Sequence, residues 1–424
     1  MRSWISVSVI VACFAVLLTS GSAAQILPQN PAAIAPPLGA LPGDVISAVQ
    51  GTAQTAQRTI AELAQNRVNE LRALVSQSKG QLEMTTLGPA VRGEIIAVDP
   101  DSTTLAAAVA MGMTINAEEA IAGLGLRTVT FSIPAGASLD RSLKLLRRAA
   151  PAASLTANHI YTRAAKAGKA PPPVLLQRGD AKGGIGMIDG GVAAHPAFLG
   201  PVEQRGFVTA SPSASAHGTA VASLITSSGI IKSPAPGAPL LVADVYGADK
   251  AGGNALAIAR ALGWLIERKA PVIAMSLVGP PNVLLERAIS AAQGRGILIV
   301  AAVGNDGAAS PPSYPASYPG VIAVTAVDAR NRVLIEAGHS LHVDFAAPGA
   351  DMVAASLSGG AAKVRGTSFA VPLVAALAWC AAKGGSPDPR ATLIKLAVDL
   401  GKPGADAVYG NGLLCGVCRT TTAK

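Results

Sequence analysis

The second half of the chain alternates between two patterns, and this alternation limits the folds it can adopt. From about Gly183, short segments that are apolar almost throughout are separated by stretches of helical periodicity near 218–227, 254–269, 282–293 and 368–382. The apolar segments are GIGMID, LLVADVYG, VIAMSL, ILIVAAVGN and VIAVTAV. Because such strands are buried on both faces, the pattern predicts an α/β fold with a parallel sheet between helices. Functional residues of such sheets collect at the carboxyl ends of the strands.

The composition fits a globular protein and excludes one class of partner. Charged residues make up 14% and aromatic residues 3% of the chain, which is typical of small, tightly packed elements and not of a disordered chain. The formal net charge is +9, but the lysines and arginines are scattered, without a dense run or interleaved aromatic residues. We therefore expect no nucleic-acid partner.

The first residues have the pattern of an export signal. Arg2 precedes the apolar run SVIVACFAVLL, and small residues up to Ala24 suit cleavage there, so residues 1–24 are predicted to be a signal peptide. An uncleaved anchor is the alternative. The sequence has no other apolar run long enough for a membrane span, so we expect an exported protein, periplasmic or secreted, with no membrane contact after signal removal. Residues 25–90 are predicted to hold a Pro/Ala-rich leader and an amphipathic helix from about Val45 to Lys79.

Three cysteines follow the signal, Cys380, Cys415 and Cys418. In an exported chain a disulfide is expected, with Cys380 bonded to one of the other two. The spacing of Cys415 and Cys418 also suits redox or metal chemistry, but a zinc site needs a second pair of ligands, and none is suitably spaced. Neither a metal nor a cofactor is predicted.

Residues 91–165 form a separate small α/β pattern. Strands are predicted at VRGEIIAV, RTVTFSI and SLTANHIY, with helices near 103–111 and 138–149. Residues 166–182 continue a basic, Pro-rich stretch that begins near Arg163, and they are predicted to be a linker with a processing site. Residues 183–424, which carry the alternating pattern of apolar strands and helices, are predicted to form a further domain.

Four polar residues stand where predicted strands end or helices begin. Asp189 ends GIGMID, His217 opens the helix in HGTAVASLI, Asn305 ends ILIVAAVGN, and Ser368 precedes a long apolar helix. Each alone has an ordinary explanation: a turn-capping carboxylate, a polar surface histidine, an Asn-Asp-Gly turn and a helix start. Together, Asp, His and Ser are the groups that a nucleophile, its base and an orienting carboxylate require, and an amide can donate to an oxyanion.

The stretch GTSFAVP is expected to place the nucleophile on the first turn of a buried helix. Thr367 is a good N-cap, and a helix beginning there would direct its free N–H groups toward the group that Ser368 attacks. Pro372 is expected to kink the helix close to Ser368.

The four residues lie in the motifs D-G-G (189–191), H-G-T (217–219), A-V-G-N (302–305) and G-T-S-F-A-V-P (366–372). These motifs, in this order, resemble those of the subtilisin-like serine proteases, the subtilases, and the resemblance covers residues 180–415. The resemblance implies that residues 183–424 are the catalytic domain, built on a three-layer parallel sheet with helices on both faces. It also implies that residues 91–165 form a propeptide, which acts as an intramolecular inhibitor of the enzyme.

The resemblance gives each residue a role. Ser368 would be the nucleophile, His217 the general base, Asp189 the orienting carboxylate and Asn305 the oxyanion donor. Ser276, Leu277, Val278 and Gly279 would pair with extended substrate, and Gly304 would line the pocket beside them. Two positions depart from the family: Gly190 replaces the more usual Ser or Thr, and Pro280 stands where a second glycine is usual.

The predicted function is that of an exported serine endopeptidase, made as a zymogen and acting on polypeptides through an acyl-enzyme. The alternative is a catalytically silent subtilase fold that serves as a binding or inhibitor module. Another serine hydrolase, such as an esterase, would have the G-x-S-x-G motif that this region lacks.

Overall fold

The computed structural model describes residues 43–164, 174–229, 231–249 and 251–421. The predicted signal peptide, most of the leader and the first part of the predicted linker lie outside these residues. Two compact units are distinguished, one ending at Asn66 and one running from Arg67 to Lys424. The structure describes the first unit only through the beginning of helix α1 (Gly43–Gln77). All other elements belong to the second unit.

The second unit begins with a five-stranded antiparallel sheet in the order β1-β2-β4-β3, with β5 also paired to β2. Its strands are β1 (Leu82–Met84), β2 (Pro89–Val98), β3 (Thr114–Ile121), β4 (Leu126–Ser132) and β5 (Ser154–His159). Helices α2 (Ser102–Ala110) and α3 (Leu139–Ala149) pack against it. We call Leu82–Ile160 the N-terminal module. Sequence analysis missed β1 and β3, since β3 is largely exposed and has no apolar face.

The larger sheet has seven parallel strands in the order β14-β13-β12-β10-β7-β9-β8. These strands are β7 (Ile185–Asp189), β8 (Val202–Gly206), β9 (Leu240–Asp244), β10 (Val272–Met275), β12 (Leu298–Ala302), β13 (Ile322–Val327) and β14 (Phe345–Pro348). Four shorter strands lie outside it: β6 (Thr162–Arg163), β11 (Leu277–Val278), β15 (Met352–Ala355) and β16 (Ala361–Val364). The predicted parallel sheet is confirmed. The edge strand β8 was missed because its sequence, VEQRG, is mostly polar.

Helices cover both faces of the parallel sheet. Alternate strand residues enter two separate cores, so that Val300 packs in one and Ile299 in the other. Helices α4 (Ala216–Thr226) and α7 (Val371–Lys383) contribute to the first core, and α5 (Ala255–Glu267) and α6 (Val283–Gln293) to the second. Helix α8 (Pro389–Leu396) packs against α7. The three-layer arrangement predicted from the apolar strands is thus present.

The N-terminal module packs on helices α5 and α6. Ile96 and Val98 of β2 share the core that these helices line. Gly123 and Gly263 lie so close that a Cβ on either would stand 2.2 or 2.1 Å from a backbone oxygen of the opposite segment. Asn158 accepts a hydrogen bond from the N–H of Leu256 (3.2 Å) in the first turn of α5.

One expectation about local structure, the disulfide pairing, needs correction. The disulfide joins Cys415 to Cys418, with a Cα–Cα distance of 5.1 Å, while Cys380 is a free thiol that donates to the carbonyl of Pro234 (3.5 Å). The expected bond to Cys380 is therefore wrong, since Cys380 faces another loop. Residues 174–178, assigned to the linker, pair with the catalytic domain: Leu176 donates to Val192 and Arg178 exchanges hydrogen bonds with Val202.

In the described ranges, no helix combines the length and apolar character needed to cross a membrane.

Candidate active site

Asp189 and His217 form a buried pair at the carboxyl end of the parallel sheet. Asp189 is the last residue of β7, a strand in the middle of the sheet, and His217 is the second residue of α4. His217 donates from Nδ1 to the Asp189 carboxylate, at 2.8 Å from Oδ2 and 3.0 Å from Oδ1. Both side chains are 1% exposed. Because the carboxylate can only accept, it fixes the imidazole tautomer with the proton on Nδ1.

Helix α4 is positioned by its first residues. The hydroxyl of Ser215 caps the helix by accepting from the N–H of Gly218 (2.9 Å). A Cβ at Gly218 would stand 2.2 Å from the carbonyl oxygen of Gly190, so only glycine allows the helix to approach the end of β7 this closely. The H-G-T motif therefore places the imidazole against Asp189 by close backbone packing.

Ser368 lies in a short 3₁₀ turn, Thr367–Phe369, and helix α7 begins only at Val371. The predicted helix start at 368 with a Thr367 N-cap is therefore wrong. Instead, the Thr367 hydroxyl donates to the carbonyl of Gly304 (3.1 Å), which ties the turn to the end of β12. Pro372 falls in the first turn of α7, where its missing N–H has no intrahelical partner to lose. A proline at this position therefore does not require the kink that was expected.

The serine is beside the histidine but is not hydrogen-bonded to it. The ring of Phe369, next to Ser368, lies 5.6 Å from the His217 ring. The Ser368 hydroxyl donates to the main-chain oxygen of Ser276 (3.3 Å), and Nε2 of His217 is buried without a hydrogen-bond partner among the described residues. The Asp–His half of the triad is assembled, while the His–Ser hydrogen bond is not formed.

Asn305 is held by the same turn as Ser368. Its Oδ1 accepts a hydrogen bond from the N–H of Thr367 (3.0 Å). Since the carbonyl end of the amide is used in this way, the NH₂ end is the one available to a further acceptor. Asn305 thus lies next to the serine turn.

The predicted substrate strand is paired with a segment of the chain itself. Leu277 and Val278, which form β11, pair antiparallel with Arg163 and Thr162, which form β6. On the other side, the N–H of Tyr161 donates to the carbonyl of Gly253 (2.8 Å). We call Tyr161–Ala164 the tail. It lies as an added strand between two segments of the catalytic domain, a binding mode based on main-chain hydrogen bonds.

The remaining predicted substrate-binding residues, Gly279 and Gly304, differ in the contacts that they make. Gly304 has φ +94°, and a Cβ there would stand 3.4 Å from Cγ1 of Val278, so both line the same space. Gly279 does not pair with the tail, because it exchanges two hydrogen bonds with Tyr314 (2.9 and 3.0 Å). The carbonyl of Pro280 accepts from the Tyr161 hydroxyl (2.5 Å), so this departure from the family pattern also contacts the tail.

Ser276 joins the tail to the serine turn. Its main-chain oxygen accepts both the N–H of Ala164 (3.1 Å) and the hydroxyl of Ser368 (3.3 Å), and its own hydroxyl donates to the carbonyl of Ser368 (3.0 Å). The amide of Ala164 and the Ser368 hydroxyl therefore meet at one oxygen atom.

Helix α1 also holds the tail. Arg67 donates to the hydroxyl of Thr162 (3.0 Å) and forms an ion pair with Asp306 (3.1 Å). Asp306 directly follows Asn305, and burial raises the pKa of its carboxyl group while the nearby Arg67 charge lowers it. One arginine of α1 thus contacts both the tail and the Asn305 loop.

Sequence analysis missed the residues around Arg163. Its guanidinium lies 4.0 Å from the ring centroid of Tyr246, and its Nε lies 3.6 Å from Oδ1 of Asp189. Asp244 ends β9 directly beside Asp189 and is buried. The available signal was the carboxylate at the end of LLVAD, which repeats the pattern of GIGMID.

Fold and site together define a protein with a doubly covered parallel sheet and a buried Asp–His pair beside a serine turn. The sequence matches the subtilase family (peptidase S8) over residues 187–412, and the chain belongs to this family of serine proteases.

Two curated relatives and one solved structure give the extent of the similarity. Subtilisin BL of Lederbergia lenta is 36% identical over 205 residues, which is 46% of this chain and 74% of that protein. The minor extracellular protease Epr of Bacillus subtilis (strain 168) is 31% identical over 244 residues, 54% of this chain but only 37% of Epr. The crystal structure of fervidolysin from Fervidobacterium pennivorans, a keratinolytic enzyme related to subtilisin, aligns with a TM-score of 0.62 at 19% identity, covering 80% of this chain and 63% of that one. This last likeness concerns the fold alone.

Proposed function

We propose that this chain is an exported serine endopeptidase, made as an inactive precursor, that hydrolyses peptide bonds through an acyl-enzyme. The observation that carries the proposal is the oxygen of Ser276, shared by the Ala164 amide and the Ser368 hydroxyl. A residue whose N–H donates to this oxygen directs its own carbonyl group toward Ser368. This contact supports the assignment of the tail as an occupant of the substrate position.

The chemistry follows from the two halves of the triad. Oγ of Ser368 attacks the carbonyl carbon while Nε2 of His217 takes the hydroxyl proton, and the same nitrogen then gives the proton to the departing amine. Water hydrolyses the resulting ester by the same proton transfers in reverse order. Asp189 holds Nδ1 and stabilises the positive imidazolium. For this, the Ser368 hydroxyl must turn from Ser276 to His217, which gives Nε2, unpaired among the described residues, a hydrogen-bond partner.

The tetrahedral intermediate places a negative charge on the former carbonyl oxygen. We assign its stabilisation to the NH₂ of Asn305 and the main-chain N–H of Ser368. The bond between Thr367 and Oδ1 of Asn305 fixes the amide before the charge develops, so little reorganisation is needed in the transition state.

We assign the N-terminal module and its tail the role of an internal inhibitor. The tail takes the strand position that a polypeptide substrate needs, between β11 and Gly253. In this register Ala164 is the residue whose carbonyl faces Ser368, so self-processing cuts the bond after Ala164. The predicted processing site then lies at the beginning of the basic stretch from Arg163.

Export is supported by the signal-like first residues and by the disulfide between Cys415 and Cys418. Disulfides persist in oxidising compartments and are rare in the cytosol. The relative Epr is described as extracellular. We therefore assign this protein to the periplasm or the medium, acting on polypeptides there.

The experiment compares the intact mass of the exported wild-type chain with that of Ser368→Ala. We expect the wild type to shorten to a product beginning at residue 165, while Ser368→Ala stays long. If both shorten alike, another protease processes the chain and self-processing is wrong. If neither shortens, the module is a permanent domain.

The silent binding module remains as a second function, because the His217–Ser368 hydrogen bond is not formed. A fluorophosphonate probe distinguishes the two, since it reacts only with an activated serine. Labelling of the wild type and not of Ser368→Ala supports the protease. Absence of labelling after the module has been removed supports the silent module.

A further inference from the structure

The side chain of Arg163 occupies a pocket beside the catalytic pair. The guanidinium lies over the Tyr246 ring, 4.0 Å from its centroid, and Nε lies 3.6 Å from Oδ1 of Asp189. The side chain is only 30% exposed, and Nε is buried without a hydrogen-bond partner among the described residues. A cation at this depth needs opposing negative charge and an aromatic face, and both are present.

Gly190 provides the room for this guanidinium. A Cβ at Gly190 would stand 2.8 Å from Nη2 of Arg163 and 2.4 Å from Oγ of Ser215. The position follows Asp189 directly, and it is the position at which this chain departs from the usual hydroxyl residue. A serine or threonine here would project into the space that the arginine fills.

A second carboxylate faces the same pocket. Asp244 lies beside Asp189 in register on the neighbouring strand, and it accepts hydrogen bonds from the N–H groups of Ser213 (2.7 Å), Tyr246 (2.9 Å) and Gly247 (2.9 Å). Burial raises the pKa of Asp244, whereas those bonds and the charge of Arg163 lower it. Arginine in the pocket therefore favours the ionised form of Asp244.

We propose that Asp189, Gly190, Asp244 and Tyr246, which we call the arginine pocket, select substrates with arginine at the second residue before the cleaved bond. The inference rests on the proposed function, since it reads the tail as a substrate ending at Ala164. The preferred polypeptides then contain arginine followed by a small residue. Arginine suits the pocket better than lysine, because a planar guanidinium stacks on the Tyr246 ring.

The first test uses the mature wild-type enzyme and peptides of residues 160–166, Ile-Tyr-Thr-Arg-Ala-Ala-Lys. In the test peptide, citrulline replaces arginine, which removes the charge and keeps the shape. We expect kcat/KM to fall about 10- to 100-fold. A matched pair carries arginine or citrulline at the Thr162 position, where we expect less than about a threefold difference.

The outcomes separate the pocket from the function. If arginine and citrulline peptides are cut at equal rates, the enzyme is a protease but the arginine pocket is wrong. If cutting occurs elsewhere than after Ala164, the register and the pocket are both wrong. If no peptide is cut and the fluorophosphonate does not label Ser368, the proposed function fails, and this inference fails with it.

A second test changes the enzyme. Gly190→Ser should bring the ratio of kcat/KM for the arginine and citrulline peptides close to one. Gly360→Ser is the matched control, because a Cβ there meets no atom within 4 Å among the described residues, and it should keep the wild-type ratio. An equal loss on both peptides in Gly190→Ser, with the ratio retained, would show that Gly190 acts only through Ser215 and not through the pocket.

Discussion

The seven-stranded sheet is buried on both faces, whereas the five-stranded sheet of the N-terminal module leaves β3 largely exposed. The first sheet positions Asp189 at the end of a strand that lies between two hydrophobic cores. The module instead meets the catalytic domain through a few polar groups, the apolar face of β2, the turn at Ile121–Leu124 and the tail. This difference suits a rigid site with a removable cover.

The polar contacts of the module are themselves of two kinds. Two ion pairs, Glu119–Arg260 and Asp99–Arg287, have partners that are 29–43% exposed. By contrast, Asn282 and His159 are each 3% exposed. Asn282 caps α6, donates to the carbonyl of Ala157 (3.1 Å), and lies 3.2 Å from Nδ1 of His159. The buried contacts should hold the module far more strongly than the ion pairs.

The largest effect is expected in the catalytic domain. His217→Ala should lower kcat about a million-fold, since removing the base leaves Ser368 unactivated. The measurement is peptide hydrolysis by separately processed enzyme, with circular dichroism to show that the fold is kept. A loss of less than about a hundredfold would show that another group acts as the base.

Asn305→Ala should lower kcat about 100- to 1000-fold with a small change in KM, because the amide interacts with charge that develops only in the transition state. Burst kinetics with an ester substrate measure the acylation step. If Asn305→Ala turned over at the wild-type rate, its oxyanion role would be wrong.

The next effect concerns pH and the module. Burial lowers the pKa of His159 to about 4, because the buried imidazole loses the hydration that its charged form needs, and the nearby charge of Arg147 lowers the pKa further. Its folded pKa is below the unfolded value of 6.5, so its stabilisation is complete above pH 6.5 and decreases as the pH falls toward 4. The total loss is about 3 kcal/mol.

Urea unfolding at pH 7 and 4.5 measures this loss in Ser368→Ala, which keeps the module attached. The matched chain carries His159→Gln in addition and should show a weaker pH dependence. Parallel pH dependence in the two chains would mean that His159 is not the responsible group.

The smallest effects compare the two kinds of module contact. In the Ser368→Ala chain, Asn282→Ala should cost about 1–3 kcal/mol, because it removes a helix cap and leaves buried groups unpaired. Arg287→Ala should cost less than about 1 kcal/mol, as its partner Asp99 is solvated. Equal costs in urea unfolding would contradict the division into buried and exposed contacts.

Much of the catalytic sheet was predictable. Strands such as LIVAA are apolar at every position, and this requires burial on both faces wherever they lie. The strands β3 and β8 were not predictable in this way, because an exposed or edge strand needs no apolar pattern.

The candidate site was predictable only in part. Motif order placed Asp189, His217, Asn305 and Ser368 at element ends, and the structure brings them to one edge of the sheet. The turn at Thr367–Phe369 was mistaken for helix because the apolar run after it is continuous. The disulfide was mispredicted because cysteine spacing does not show which loops meet.

The sequence by itself determined the sheet, its two covered faces and the identity of the candidate catalytic groups, since apolar periodicity and residue type are local properties. Only the tertiary structure decided that the tail pairs with β11, that Ser368 bonds to Ser276 instead of His217, and that Arg163 fills a space left open by Gly190. These contacts join residues far apart in the chain. They form only when distant segments are positioned to within a few tenths of an ångström, and a local sequence pattern does not specify such positions.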